Sequence, residues 1–164
     1  MNRDWLITGL NFTVLLFLQV FIFDAIYIGI YFNLQIYLMF ILFLPISFQN
    51  LAVLFLSAVT GLAVDIFSGT LGLNMAACTA IGYARYHVLK YTSANDIVQE
   101  IPSIGHHFQK YFIYTGTLIL LHHLILFFLD AFSIKDALNI LIRTILSAVA
   151  NFILIALARA ITNR

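Results

Sequence analysis

The chain has 164 residues, of which 63% are hydrophobic and only 9% are charged, and its mean hydropathy is +1.02. Soluble domains carry roughly 25% charged residues, so this composition speaks against a soluble globular protein, and its hydrophobicity speaks against a disordered one. The formal net charge of +1 gives no electrostatic footprint for nucleic acid. An integral membrane protein remains.

The apolar residues form long continuous runs that short polar breaks separate. At about 20 residues per spanning helix, the chain has room for six transmembrane helices and little folded mass outside the bilayer. The runs lack the alternation of a β-barrel, and the first is too long for a signal peptide, so we interpret it as a retained span. We therefore predict one all-α integral membrane domain over residues 1–164. The predicted spans cover residues 4–23, 33–48, 51–67, 71–89, 110–129 and 137–161.

The distribution of basic residues predicts the orientation. Six spans place both termini on one side of the membrane. Lys135 alone lies on the opposite side, and basic residues concentrate in cytoplasmic loops, so we predict that both termini are cytoplasmic. The five basic residues on the terminal side are Arg3, Lys90, Lys110, Arg159 and Arg164.

Polar side chains within four of the spans fall at the depth of the outer leaflet. Such residues cost several kcal/mol in lipid and are candidates for function. We expect Asp65 and Arg143 to approach each other inside the bundle. The alternative is that Arg143 extends to the surface while Asp65 lies at the interface. The predicted intramembrane cluster consists of Asp65, Asn74, His122, His123 and Arg143.

The last span has a polar face. Asn139, Arg143, Ser147 and Asn151 follow one another at intervals of four residues, which places them on nearly one face of a helix. That face is predicted to contact a partner or packed helices rather than lipid.

Small residues repeat in the same way in spans 3 and 4. A stripe of Ala76, Ala80 and Ala84 continues from Gly72, and Ser57 and Gly61 occur in span 3. Small residues let helices approach closely in lipid. We predict a tight hairpin of spans 3 and 4, with a dimer interface as the alternative, so homo-oligomerisation stays open.

The chain carries no recognisable catalytic motif. A Walker loop, GxSxG and HExxH do not occur. The histidine doublets at 106–107 and 122–123 lie on opposite sides of a span, and Cys78 is the only cysteine. We therefore predict no catalytic residue, no metal and no cofactor. A channel or transporter acting alone has little support without an evident inverted repeat.

The end of span 3 and the start of span 4 carry a motif. It reads Gly61-Leu-Ala-Val-Asp65-Ile-Phe-Ser68-Gly69-Thr-Leu-Gly72-Leu-Asn74, and Ile81-Gly82-Tyr83 follows. This pattern resembles the rod shape-determining protein MreD family, whose members are similar in length. The specific residues lie within 33–83, and Phe32 departs from the proline that the family often has there. The resemblance implies turn and packing positions at Gly61, Asp65, Ser68, Gly69, Gly72 and Gly82, none of them catalytic.

The resemblance implies a non-enzymatic scaffold of the bacterial cell-elongation machinery, which directs cell shape and peptidoglycan synthesis from the cytoplasmic (inner) membrane. Its expected direct partner is the bitopic protein MreC. RodA and its penicillin-binding protein are expected as further partners, and MreB as an indirect one. The alternative is a substrate-binding subunit of an energy-coupling-factor type vitamin transporter. Those subunits are similar in size, hydrophobicity and span number, and a similar fold is expected. The polar outer-leaflet region suits a ligand pocket or a groove for a partner helix or lipid.

Overall fold

The computed structural model describes residues 2–26, 29, 31–93, 100–105, 107–132 and 136–162. These residues form helices and connections, with no strand among them. Lys135 and Arg164, two of the charges that predict the orientation, and His106 lie outside the described residues. The helices are α1 (Asn2–Leu18, continued by a π-helical turn at Gln19–Phe23), α2 (Leu38–Leu42), α3 (Asn50–Ser68), α4 (Leu73–Thr92), α5 (Phe108–Ala131) and α6 (Ala137–Thr162).

Four helical stretches are long and apolar enough to cross a membrane, which supports a multi-pass membrane protein. Their bounds agree within two residues with the first, third, fifth and sixth predicted spans. Helix α4 has 20 residues, but Arg85 and Lys90 make it less apolar. The four stretches are Trp5–Phe23, Asn50–Ser68, Phe108–Ala131 and Ala137–Ile161.

Residues 33–48 differ from the predicted second span. Instead of one continuous helix, only the five residues of α2 are helical, and irregular backbone flanks them on both sides. Pro45 disfavours helix in the residues before it, because its ring clashes with the preceding backbone. We call residues 31–45 the irregular segment.

The irregular segment is nevertheless the centre of the hydrophobic core. Leu38, Ile41 and Leu42 are completely buried, and Leu44 is 1% exposed. The other helices surround it. Non-helical backbone at membrane depth is tolerated only where protein covers it. Hydropathy identified the apolar run but could not distinguish a lipid-facing helix from a segment enclosed by helices.

Helices α3 and α4 form the predicted hairpin, and two glycines allow their close approach. A Cβ atom on Gly61 would lie 2.5 Å from the carbonyl oxygen of Asn74, and one on Gly82 would collide with the side chain of Ser57. The turn between the helices requires left-handed backbone, with φ of 69° at Gly69 and 82° at Gly72. Glycine adopts this conformation without steric cost.

The predicted alanine packing stripe of α4 is only partly buried. Ala76 is exposed and Ala80 and Ala84 are half-buried, whereas Asn74 and Cys78 on the neighbouring face are buried. A spacing of four residues identifies which residues share a face. It does not determine which face turns toward the neighbouring helix.

Two glycine-to-alanine substitutions test this packing. Gly61→Ala should lower stability by about 1–3 kcal/mol, because the new methyl group meets backbone atoms that cannot move aside. Gly116→Ala in α5 is the matched control, since nothing lies within 4 Å of its added Cβ and alanine favours a helix by about 0.5–1 kcal/mol. Melting temperatures in detergent measure both. A Gly61→Ala protein as stable as Gly116→Ala would contradict the close approach.

Candidate functional site

One end of the irregular segment is bound by two polar side chains of α6. The Ser147 hydroxyl donates to the carbonyl of Tyr31 at 3.0 Å and accepts from the amide of Asn33 at 3.1 Å. The Asn151 side chain accepts from the amide of Gln35 at 2.6 Å and donates to the carbonyl of Asn33 at 2.6 Å. Both α6 side chains are completely buried, so this part of the predicted polar face binds the chain's own backbone.

The other end of the segment is bound by Arg85 of α4 and Tyr114 of α5. The Tyr114 hydroxyl donates to the carbonyl of Leu42 at 2.6 Å and accepts from Arg85 Nε at 3.1 Å. Arg85 Nη2 donates to the carbonyl of Leu44. The last carbonyls of a helix lack intrahelical partners, and a cation is favourable there. Arg85, only 4% exposed, therefore binds carbonyl groups at and just beyond the end of α2.

Asp65 joins α3 to α4. Its carboxylate accepts the backbone amides of Asn74 at 3.1 Å and Met75 at 2.9 Å, and the Thr70 hydroxyl also donates to it. An acidic side chain at a helix N-terminus satisfies free amides and interacts favourably with the helix dipole. Asp65 therefore caps α4 from the neighbouring helix.

A chain of polar contacts leads inward from Asp65. The Asn74 amide donates to the Asp65 carboxylate at 3.0 Å, and the Tyr37 hydroxyl donates to the Asn74 carbonyl oxygen at 2.9 Å. The Tyr37 oxygen lies 3.2 Å from His122 Nε2. Because this hydroxyl already donates to Asn74, Nε2 is the donor and the hydrogen sits there. His122 Nδ1 is then an acceptor, and it is buried without a partner.

His123 connects the same region to α6. Its Nδ1 lies 2.9 Å from the carbonyl of Ile119, which can only accept, so Nδ1 carries the hydrogen. Nε2 then accepts from the Asn151 amide at 3.1 Å. The His122 and His123 rings meet edge to face with centroids 5.4 Å apart. The structure thus brings together four of the five predicted cluster residues: Asp65, Asn74, His122 and His123.

Arg143, the fifth, has another partner than the one expected. Its Nη1 lies 3.4 Å from Asp130 Oδ2, and the two side chains are 31% and 47% exposed. Its guanidinium carbon lies 4.4 Å from the centre of the Phe127 ring. Among the described residues, Arg143 makes no ion pair with Asp65, contrary to the expectation. The Asp65 carboxylate instead accepts backbone amides of α4. Asn139 is also exposed, near Arg143.

A polar cavity of about 140 Å³ lies beside this network. The two glutamines in its lining, Gln19 and Gln35, have buried Oε1 atoms without a hydrogen-bond partner. The cavity could hold four or five waters at about 30 Å³ each, and it is smaller than the roughly 300–1,000 Å³ of pockets for drug-sized ligands. Its polar lining comprises Gln19, Asp24, Asn33, Gln35, Tyr37, Ser68, Thr70, Asn74, Asp130 and Arg143.

Sequence reasoning missed several members of the network. Tyr37 and Tyr114 cannot be distinguished from ordinary core aromatics in the sequence. For Gln35 and Arg85 the sequence predicts no hydrogen-bond partner. The signal that could have identified them is their position within apolar runs, since a buried hydroxyl or amide needs a hydrogen-bond partner. Across the part of the chain that the structure describes, no group of three or more His, Cys, Asp or Glu side chains could hold a metal ion.

The residues that carry the MreD resemblance form one local unit. Gly61 and Gly82 permit the helix contact, Asp65 caps α4, and Gly69 and Gly72 shape the turn. Ser68 donates to the Asp24 carboxylate at 2.8 Å. The chain matches no protein-family model, no curated protein and no solved structure. The resemblance therefore stays a prediction.

Two asparagines of α6 provide a test of the network. Asn151→Ala removes hydrogen bonds to the backbone of Asn33 and Gln35, and each unpaired buried group costs about 1–3 kcal/mol. We expect a clear fall in melting temperature and faster labelling of a cysteine introduced at Gln35. Asn139→Ala, the control on the same helix, should change neither, because Asn139 is exposed. Equal effects of the two substitutions would refute the assigned role of Asn151.

Proposed function

We propose that this chain is a non-enzymatic membrane scaffold of the bacterial cell-elongation machinery, located in the cytoplasmic membrane and bound to a bitopic MreC-like protein. The observation that carries the proposal is the α3–α4 junction. Each glycine and the aspartate of the family-like motif has a defined geometric role there. RodA with its penicillin-binding protein, and indirectly MreB, are the further partners that the resemblance implies.

The architecture supports contacts made through helices. Helix α1 is the least enclosed spanning stretch, and only 11% of it is buried. It exposes large apolar side chains, including Leu6, Leu10, Phe17 and Phe21. Such a surface faces lipid or another membrane helix. A single-pass partner is therefore a suitable ligand for a chain with so little mass outside its helices.

We propose six crossings, of which the irregular segment and its flanks form the second. At one end of the bundle, Asp24 contacts Ser68. At the other end, the Phe48 ring stacks on Trp5 with centroids 4.4 Å apart. The chain between Asp24 and Phe48 thus returns along the length of α1. With six crossings, the bias of basic residues places both termini in the cytoplasm.

Affinity purification from native membranes tests the scaffold. A tagged chain, extracted in mild detergent, should recover an MreC-like bitopic protein identified by mass spectrometry. A tagged, unrelated multi-pass protein of the same membrane is the control. Recovery of an ATPase pair together with a bound vitamin would contradict the scaffold and support the transporter subunit.

Reporter fusions test the topology. Fusions after Arg164 and within residues 96–102 should both report cytoplasm, whereas a fusion within residues 133–135 should report the opposite side. The physical reason is the excess of basic residues on the terminal side. An extracytoplasmic signal from either of the first two fusions would rule out six crossings in this orientation.

One observation favours the vitamin-transporter subunit as a second candidate. The polar cavity has two buried glutamine oxygens that lack a hydrogen-bond donor. A bound ligand with N–H or O–H groups could donate to them. Its volume of about 140 Å³ is the counter-argument, because pockets for drug-sized ligands start at about 300 Å³. A vitamin would require the cavity to widen.

A further inference from the structure

An apolar groove opens between α1 and α6 on the side of the bundle. Its volume is about 630 Å³, and the irregular segment forms its floor from Ile36 to Pro45. The groove exists because α1 packs mainly against α2 and α3 rather than α6. Only three of its lining side chains are polar: Thr8, Asn11 and Arg159.

The two walls of the groove differ in length. On α1 and its π-helical turn the lining runs from Thr8 to Phe23, or 16 residues and about 22 Å. On α6 it runs only from Leu154 to Ile161, or eight residues and about 10 Å. Nearer the start of α6, Ser147 and Asn151 bind residues 31–35, which closes the gap. The two-walled part therefore covers less than one leaflet, which is about 15 Å thick.

Arg159 lines the groove near the end of α6. It is three residues from the end of α6 at Thr162, a distance of about 5 Å along the helix. The proposed topology puts this position at the level of the cytoplasmic lipid headgroups. Its guanidinium carbon lies 4.3 Å from the centre of the Phe43 ring, and its Nε atom is buried without a hydrogen-bond partner. Arg159 forms no ion pair with the acidic residues that the structure describes, whereas Arg143 pairs with Asp130.

We infer that the groove binds one anionic phospholipid, with the phosphate on Arg159 and an acyl chain along the apolar walls. A guanidinium group binds phosphate through paired charge-assisted hydrogen bonds, and the cytoplasmic leaflet is rich in anionic lipid. A transmembrane helix fits less well, because it must cross both leaflets while the groove closes at residues 31–35. The inference rests on the proposed orientation, which puts Arg159 in the cytoplasmic leaflet, and it does not depend on the MreC-like partner.

Native mass spectrometry of the purified, delipidated chain tests this inference with phosphatidylglycerol and phosphatidylcholine as probes. We expect one tightly retained phosphatidylglycerol and a clear preference for it over phosphatidylcholine. Arg159→Gln should weaken phosphatidylglycerol binding about tenfold or more, because it removes the charge-assisted contact. Leu157→Trp should also weaken it, since Leu157 lines the groove and is 59% exposed, so a larger ring obstructs the acyl chain.

Two further variants distinguish a specific phosphate site at Arg159 from nonspecific attraction of anionic lipid to basic residues. Lys110→Gln removes a cation on the same side, outside the groove lining, and should leave binding unchanged. Arg159→Lys keeps the charge and should retain the lipid preference in part, which also shows that the position tolerates substitution. Equal losses for Lys110→Gln and Arg159→Gln, or no loss for Arg159→Gln, would overturn the inference. So would a photo-crosslinker at Leu157 that captures only polypeptide in native membranes.

Discussion

The structure depends on one constraint: the backbone of the irregular segment must find hydrogen-bond partners inside the helix bundle. An unsatisfied amide or carbonyl group in hydrocarbon costs several kcal/mol. Side chains from four helices meet this requirement, with Gln19, Ser147 and Asn151 at one end and Arg85 and Tyr114 at the other. The positions of α4, α5 and α6 around the segment follow from these contacts as much as from apolar packing.

This constraint changes what the intramembrane polar residues mean. In a chain with 9% charged residues, each buried polar side chain is a candidate for chemistry. Here most of them have a structural partner: Asp65 caps α4, Arg85 binds the backbone carbonyl of Leu44, and Asn151 binds the backbone amide of Gln35. The residues left with unsatisfied atoms are fewer, namely Gln19, Gln35 and His122 among the network. Gln19 and Gln35 line the polar cavity, and His122 adjoins it through its contact with Tyr37.

The sequence predicted the long helices well, because continuous hydropathy is enough to locate a lipid-facing helix. It failed at residues 33–48, since an apolar run enclosed by helices has the same composition as a spanning helix. It placed Asp65, Asn74, His122 and His123 at one depth in the membrane. This was possible because depth along a helix follows from the rise per residue alone. It did not identify the partner of Arg143, because helix rotation decides which acidic group is near. The predicted fifth span also ends at residue 129, before Asp130, although α5 extends to Ala131.

The contacts of the irregular segment also set an order for its assembly during synthesis. Its partners on α6 lie 114 to 118 residues further along the chain. Before α6 is made, the amide and carbonyl groups of residues 31–35 have no such donors or acceptors and cannot rest stably in hydrocarbon. Contacts between residues so distant in sequence form slowly. The second hydrophobic run of the chain to leave the ribosome is therefore among the last to reach its final place in the membrane.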